Sequence, residues 1–327
     1  MNPAHDDSEG NGDWRLFRGD GQARTVGFPE APPWRRFDNR SSTAASAPPP
    51  LPYLIGRAEA DVVNAALHLR RPLLVTGQPG TGKSSLGHAI AHELRLGPVL
   101  HWPVNSRATL QDALYRYDAI GRLRESNLRR EAGEDSDDLG IGSYVRLGPL
   151  GTALVPGTRP RVLLVDELDK GDIDLPNDLL NVFEEGEFEI PELARLPEDQ
   201  ASIRVMTADP DSWTEVIRGR VRCSEFPVVV ITSNGERDFP PPFLRRCVRL
   251  ALPEPDEDRL LAIVRAHLGP ADLDGNDKLL RAFLARRARG ELATDQLLNA
   301  VFLRKGGVDL DADGLLDAVL HRLGGTV

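Results

Sequence analysis

Cysteine is scarce: Cys223 and Cys247 are the only two in 327 residues. That excludes a disulfide scaffold and a four-cysteine zinc site, and it suits a reducing, cytoplasmic setting with both thiols as small buried apolar groups. Long apolar runs are missing as well. The strongest is Val228-Val229-Val230-Ile231, well short of the roughly 18 residues that a membrane-spanning helix requires. A soluble chain without a membrane partner is therefore expected. The amino end offers Asp6, Asp7 and Glu9 instead of an apolar stretch, the opposite of a secretory signal or an Arg-rich transit segment. Nor is there a surplus of positive charge. Forty basic residues against 50 acidic ones leave a net charge of −10, which repels a phosphate backbone on average and speaks against non-specific nucleic-acid binding.

Apolar residues make up 40% of the chain, enough for a sizeable core, and the length allows two domains at roughly 100–200 residues each. Residues 1–50 differ from the rest. They are rich in Gly, Asp, Ser and Pro, and Ser41 to Pro50 is a linker by composition. Two aromatic-basic clusters interrupt this tail, Trp14-Arg15-Leu16-Phe17-Arg18 and Trp34-Arg35-Arg36-Phe37; docking and plain solvation are both open for them. From Leu51 to about Leu252 the apolar runs are short and continuous, as in Leu73-Leu74-Val75, Val162-Leu163-Leu164-Val165 and Val228 to Ile231. Such runs suit central strands of a parallel sheet covered on both faces, which is α/β architecture. Beyond Pro255 the period becomes 3.6, with Leu260, Leu261, Val264 and Leu268 followed by three similar sets, so a small all-helical lid is expected. The domain reading is 1–50 tail, 51–253 α/β domain and 254–327 lid. Arg122 to Asp138 is densely charged and reads as a mobile, exposed insertion.

Gly77-Gln78-Pro79-Gly80-Thr81-Gly82-Lys83-Ser84 fits G-x-x-x-x-G-K-[ST] and stands between an apolar strand and a helix expected over Ser85 to Leu94. The spacing has a physical reason. Glycines let backbone N–H groups turn inward around phosphate oxygens, and the helix N-terminus adds a positive dipole end. Lys83 would reach the β- and γ-phosphates of ATP, and the Ser84 hydroxyl would ligate Mg²⁺. Downstream, Val162 to Val165 ends in Asp166-Glu167, two carboxylates at the carboxyl edge of the sheet. Asp166 would hold Mg²⁺, mostly through water, while Glu167 would orient and deprotonate the attacking water. A third run ends in Ser233-Asn234, where Asn234 can hold the same water or simply serve as a turn residue before Gly235. Arg245-Arg246 precedes a strand expected over Val248 to Leu252, as surface ion-pair partners or as a finger toward a neighbour's γ-phosphate.

In this order the stations resemble an AAA+ ATPase, and the string Thr232 to Cys247 resembles the MoxR-like, dynein-related branch. The resemblance covers about Leu51 to Leu320. It implies that the first loop, through Ser85, is Walker A, Asp166-Glu167 Walker B, Asn234 sensor 1, and Arg246, with Arg245, the finger. Ile55-Gly56-Arg57 resembles the stretch before Walker A that lines the adenine pocket. Tyr144 to Leu154 resembles the hairpin inserted into helix 2, and Phe188 to Phe226 the hairpin before sensor 1, both candidates for gripping a client. The expected sensor 2 arginine is replaced by Leu292-Ala293-Thr294-Asp295-Gln296-Leu297, with Arg289 as a substitute from an earlier position. The function this implies is ATP hydrolysis in a homo-oligomeric ring, of six subunits in relatives, that remodels or matures a client protein, with a von Willebrand factor A domain protein as a candidate partner. Alternatives are an ATP-holding scaffold with little turnover, and a McrB-like motor on nucleic acid.

Two further patterns carry less. His88 and His92 lie four apart beside Glu93, but the order is not H-E-x-x-H and no third ligand follows. Asp309-x-Asp311-x-Asp313-Gly314 opens like an EF-hand loop, yet the twelfth position is Leu320, which has no carboxylate to give. An acidic turn capping the last helix is the expectation.

Overall fold

The computed structural model describes residues 16, 29–32, 53–131, 140–268, 277–287, 292–310 and 314–321. Apart from Leu16, both aromatic-basic clusters lie outside these residues, as do Arg289, Asp311 and Asp313. The chain forms two compact units, one of Ile55–Glu254 and one that joins Pro255–Val327 to the residues before Ile55.

The first unit runs α1 (Arg57–Leu69), β1 (Leu73–Thr76), α2 (Lys83–Glu93), β2 (Leu100–Pro103), α3 (Leu110–Leu114), β3 (Tyr115–Tyr117), α4 (Ala119–Glu131), β4 (Val145–Leu147), α5 (Pro149–Ala153), β5 (Val162–Asp166) and α6 (Leu175–Glu185). It continues through β6 (Glu187–Glu189), α7 (Pro191–Ala194), β7 (Ser202–Met206), β8 (Trp213–Ile217), β9 (Arg220–Arg222), β10 (Val228–Ser233), α8 (Pro241–Leu244) and β11 (Val248–Ala251). Five strands form an all-parallel sheet in the order β11-β1-β10-β5-β2. The continuous apolar runs sit at its centre, with Leu73 to Val75, Val162 to Val165 and Val229 to Ile231 all buried. Each such side chain contributes about 1.5–3 kcal/mol by leaving water. β2 differs in alternating buried and exposed residues, because it is an edge strand.

The remaining strands make a second sheet, β3-β4-β7-β8-β9-β6. It draws β3 and β4 from one insertion and β6 to β9 from another. The stretch before the third core strand does contain an antiparallel hairpin, β7 with β8. The other hairpin expectation is corrected. Tyr144 to Leu154 is a strand followed by the helix α5, because Pro149 takes the first helical position, where its missing N–H costs nothing, and Leu150, Ala153 and Leu154 are buried. The charged segment from Arg122 belongs, through Glu131, to the helix α4, and its remainder through Asp138 lies outside the described residues. Ala119, Leu123, Glu125, Leu128 and the four arginines of α4 are strong helix formers. Asp118 Oδ1 accepts the Gly121 N–H at 2.8 Å, and Glu125 and Arg129 pair one turn apart. The exposure expectation stands for α4, which buries none of its residues.

The second unit contains α9 (Glu257–Leu268), α10 (Asp277–Arg287), α11 (Thr294–Lys305) and α12 (Leu315–Val319). Leu260, Val264, Leu279, Leu280, Phe283, Leu297, Leu298 and Val301 form its own core. α12 starts after Gly314; of the acidic turn expected to cap it, Asp311 and Asp313 lie outside the described residues, and Asp317, within α12, pairs with Arg286. No described helix is long and apolar enough to cross a membrane. Of the cysteines, Cys247 is buried and its thiol is pushed up to about 12 by that burial, whereas Cys223 is only half-buried, against expectation.

Candidate active site

Three parallel strands deliver the site to one edge. Register aligns Thr76 of β1 with Ser233 of β10 and Ile231 of β10 with Val165 of β5, so the loop after β1, Asp166 and Thr232 converge. The phosphate-type loop runs from Gly77 to Gly82, and α2 begins at Lys83, earlier than Ser85. Gly80 and Gly82 adopt left-handed backbone, φ +76° and +86°, which a side chain disfavours. A Cβ at Gly77 would stand 2.8 Å from the Leu252 carbonyl oxygen, so the close approach of loop and chain requires glycine there. Gln78 accepts from the Thr81 hydroxyl at 2.9 Å, closing the turn over Pro79.

Lys83 is buried and donates from Nζ to the carbonyls of Gly77 at 2.8 Å and Gln78 at 2.9 Å. Burial lowers its ammonium pKa; Asp169, Asp166 and Glu167 oppose that. Ser84 Oγ donates to Asp166 Oδ1 at 2.7 Å, and Thr232 Oγ1 donates to the same oxygen at 2.6 Å. His101 Nε2 lies 3.3 Å from Asp166 Oδ2. Burial alone would raise the Asp166 carboxyl, but hydrogen bonds from His101, Ser84 and Thr232, with the charge of His101, bring it down to about 2. A hydroxyl and an ionised carboxylate in contact, from two different elements, are hard oxygen donors that fit a magnesium ion.

Glu167 has φ +60° and ψ +48°, an unusual left-handed conformation for a residue with a side chain. Its N–H is held by Thr232 Oγ1 at 2.8 Å. Its Oε1 accepts from Lys170 Nζ at 2.8 Å, with both side chains about two-fifths exposed. Asp169 is buried, and its Oδ2 accepts the N–H groups of Asn234 at 2.9 Å and Glu236 at 3.1 Å. Its Oδ1 is buried without a hydrogen-bond partner among the described residues. Asn234 therefore sits on a turn anchored beside Asp166-Glu167.

Sequence reasoning missed four contributors: His101, Asp169, Lys170 and Thr232. Lys170 and Asp169 sit within three residues of Glu167, where charge next to a candidate base is itself a signal, whereas His101 depends on strand alignment. The structure does not bring every predicted residue to the site. Arg246 donates from Nε to Glu184 Oε1 at 2.5 Å and from an Nη to the Pro242 carbonyl at 3.2 Å, so it is engaged within its own chain. Arg245 is exposed. Ile55 and Gly56 lead directly into α1. Leu292, Ala293, Thr294, Gln296 and Leu297 are buried in the helical unit, where Gln296 bonds the Ala293 N–H and the His321 carbonyl. His88 and His92 are exposed on α2, and among the described residues no group of three or more His, Cys, Asp and Glu is set to hold a metal alone.

A parallel sheet with a glycine loop and an acidic strand end along one edge defines an α/β nucleotide-binding core of the P-loop class, followed in this chain by helices. The chain belongs to the AAA domain family, dynein-related subfamily, whose model matches residues 72–247. It thus carries an AAA+ ATPase domain, with nucleotide binding and ATP-driven activity in general. No curated protein matches it. A solved structure of a presumed ATPase from Cytophaga hutchinsonii is similar at 13% identity and a TM-score of 0.35 over 64% of this chain. This chain spans about half of that one, 48% of its length.

Proposed function

We propose that this protein is a MoxR-like AAA+ ATPase that hydrolyses ATP with Mg²⁺ in a homo-oligomeric ring, hexameric by resemblance, and uses the cycle to remodel or mature a client protein. The carrying observation is the 2.7 Å contact between Ser84 and Asp166, which joins the loop to the acidic strand end. Lys83 and the N–H groups of the loop and of α2's first turn bind and orient the polyphosphate. Ser84 and Asp166 hold the magnesium, which supplies charge neutralisation at the phosphates. Glu167 accepts a proton from the attacking water at a carboxylate oxygen, and Asn234 holds that water from the other side. Arg246 completes a neighbour's site after leaving Glu184, with Arg245 beside it as the exposed alternative. A separately encoded von Willebrand factor A domain protein is a fitting partner.

Glu167→Gln is expected to keep ATP binding and to lower turnover by at least about a hundredfold. Titration with a fluorescent ATP analogue and phosphate release measure the two, and undiminished turnover in this variant would falsify the role of Glu167. A second reading, an ATP-holding switch with little hydrolysis, is favoured by the Lys170–Glu167 pair, which occupies the candidate base. Single-turnover hydrolysis by assembled protein separates the readings, since a switch retains its ATP.

A further inference from the structure

The second sheet carries three arginines in a row on its exposed face, and none takes part in the ATP chemistry. β3, β4 and β7 are successive neighbours. Arg116, Arg146 and Arg204 are exposed, while Tyr115, Val145, Leu147 and Val205, which alternate with them, are buried. Arg116 stands directly opposite Arg146, and Arg146 opposite Met206, two residues from Arg204. Like charges directly opposite each other destabilise a sheet, so the pairing of Arg116 with Arg146 works against the fold.

Their intrachain partners are few. Arg116 pairs with Asp112 at 3.2 Å, but its side chain remains 75% exposed, and such a pair is worth little. Arg146 gives Nε to the Thr207 carbonyl. Arg204 lies over the Trp213 ring, 5.8 Å from its centroid, although Glu215 is its cross-strand neighbour. Among the described residues neither Arg146 nor Arg204 pairs with a carboxylate. Trp213 and Ile217 lie on the same face and are 42% and 62% exposed.

We infer that this Arg116–Arg146–Arg204 face, with Trp213 and Ile217 beside it, binds an extended acidic segment of another polypeptide. The inference rests on the client-remodelling reading only in naming the chemistry of the client. Charge complementarity carries it: a basic row on the surface of a chain of net charge −10 is a local reversal that steers a negative partner. Arg116 and Arg204 lie two strand steps and two residues apart, about 12 Å, the reach of about four residues of extended chain, so carboxylates on alternate residues, all on one side of the segment, can meet the row. A continuous phosphate backbone fits worse. Glu215 is exposed beside Arg204, and Glu187 and Glu189 line the far strand.

The test is fluorescence anisotropy of a labelled alternating Glu–Val peptide titrated with the full-length protein, with oligo(dT) as the competing probe. Saturable binding that weakens with salt is expected. Arg146→Gln with Arg204→Gln should weaken it at least about tenfold, and Arg222→Gln, whose guanidinium already faces Glu187 at 3.6 Å, should leave it unchanged. Unaltered binding of a fluorescent ATP analogue by both variants shows that they are folded. The inference is overturned if the wild type ignores the peptide, if the double variant binds it equally well, or if oligo(dT) binds as tightly and is lost in the same variant. ATP turnover plays no part in this readout. An inactive ATPase that still binds the peptide removes the remodelling reading alone, and an active one that ignores it removes this inference alone.

Discussion

Asp169 ends two N–H groups of the turn that carries Asn234, and burial makes that connection costly to lose. Asp169→Ala leaves both donors unpaired in a dry place, a loss of about 1–3 kcal/mol of stability, and frees Asn234 from its position. The expected kinetic result is a fall in kcat with little change in KM for ATP, with Asp169→Asn, which keeps an acceptor oxygen, close to the wild type. Steady-state phosphate release on the three proteins checks it; equal losses in Asn and Ala variants would make the negative charge, and not the hydrogen bonds, the point. The contrast with Lys83, Ser84 and Asp166 explains what a sequence can disclose at this scale. Those residues act at spacings fixed by one turn or one strand end, so they are legible in order. His101 and Thr232 meet Asp166 only because β2, β5 and β10 lie side by side in one register, and no linear spacing encodes that.

Gly142 precedes β4, and a Cβ added there would lie 1.9 Å from the Arg204 carbonyl oxygen. Backbone cannot yield as a flexible side chain does, so Gly142→Ala should force β4 and β7 apart and cost about 1–3 kcal/mol. A thermal melt measures the loss, and an unchanged midpoint would show that the second sheet tolerates separation at this point. The same neighbourhood is where sequence patterns misled. Tyr144 to Leu154 resembles a hairpin in the linear sequence, but its Gly151 is a contact residue in α5, with a Cβ position 1.9 Å from the Leu114 carbonyl oxygen. Turn residues and close-packing residues are the same residues, and only the tertiary neighbour distinguishes them. β2 escaped for the converse reason, since its alternating burial hides it from a search for continuous apolar runs. The central strands of the first sheet, buried on both faces, were legible from three or four letters each.

The molecule has separate cores, one within Ile55–Glu254 and one within the helices after Pro255. Units with their own cores can melt independently, so calorimetry is expected to resolve two transitions. Saturating ATP with Mg²⁺ should raise the transition of the α/β unit by the linkage of binding to folding. A single two-state transition, unmoved by nucleotide, would contradict both expectations. The second sheet has a mechanical consequence. Its strands come from stretches that lie on either side of β5 and α6 in the chain, yet β4 and β7 are hydrogen-bonded neighbours. Two excursions stitched edge to edge behave as one stiff plate: a push arriving through either is shared by the other, and neither swings alone unless the seam at Arg146 and Met206 comes undone.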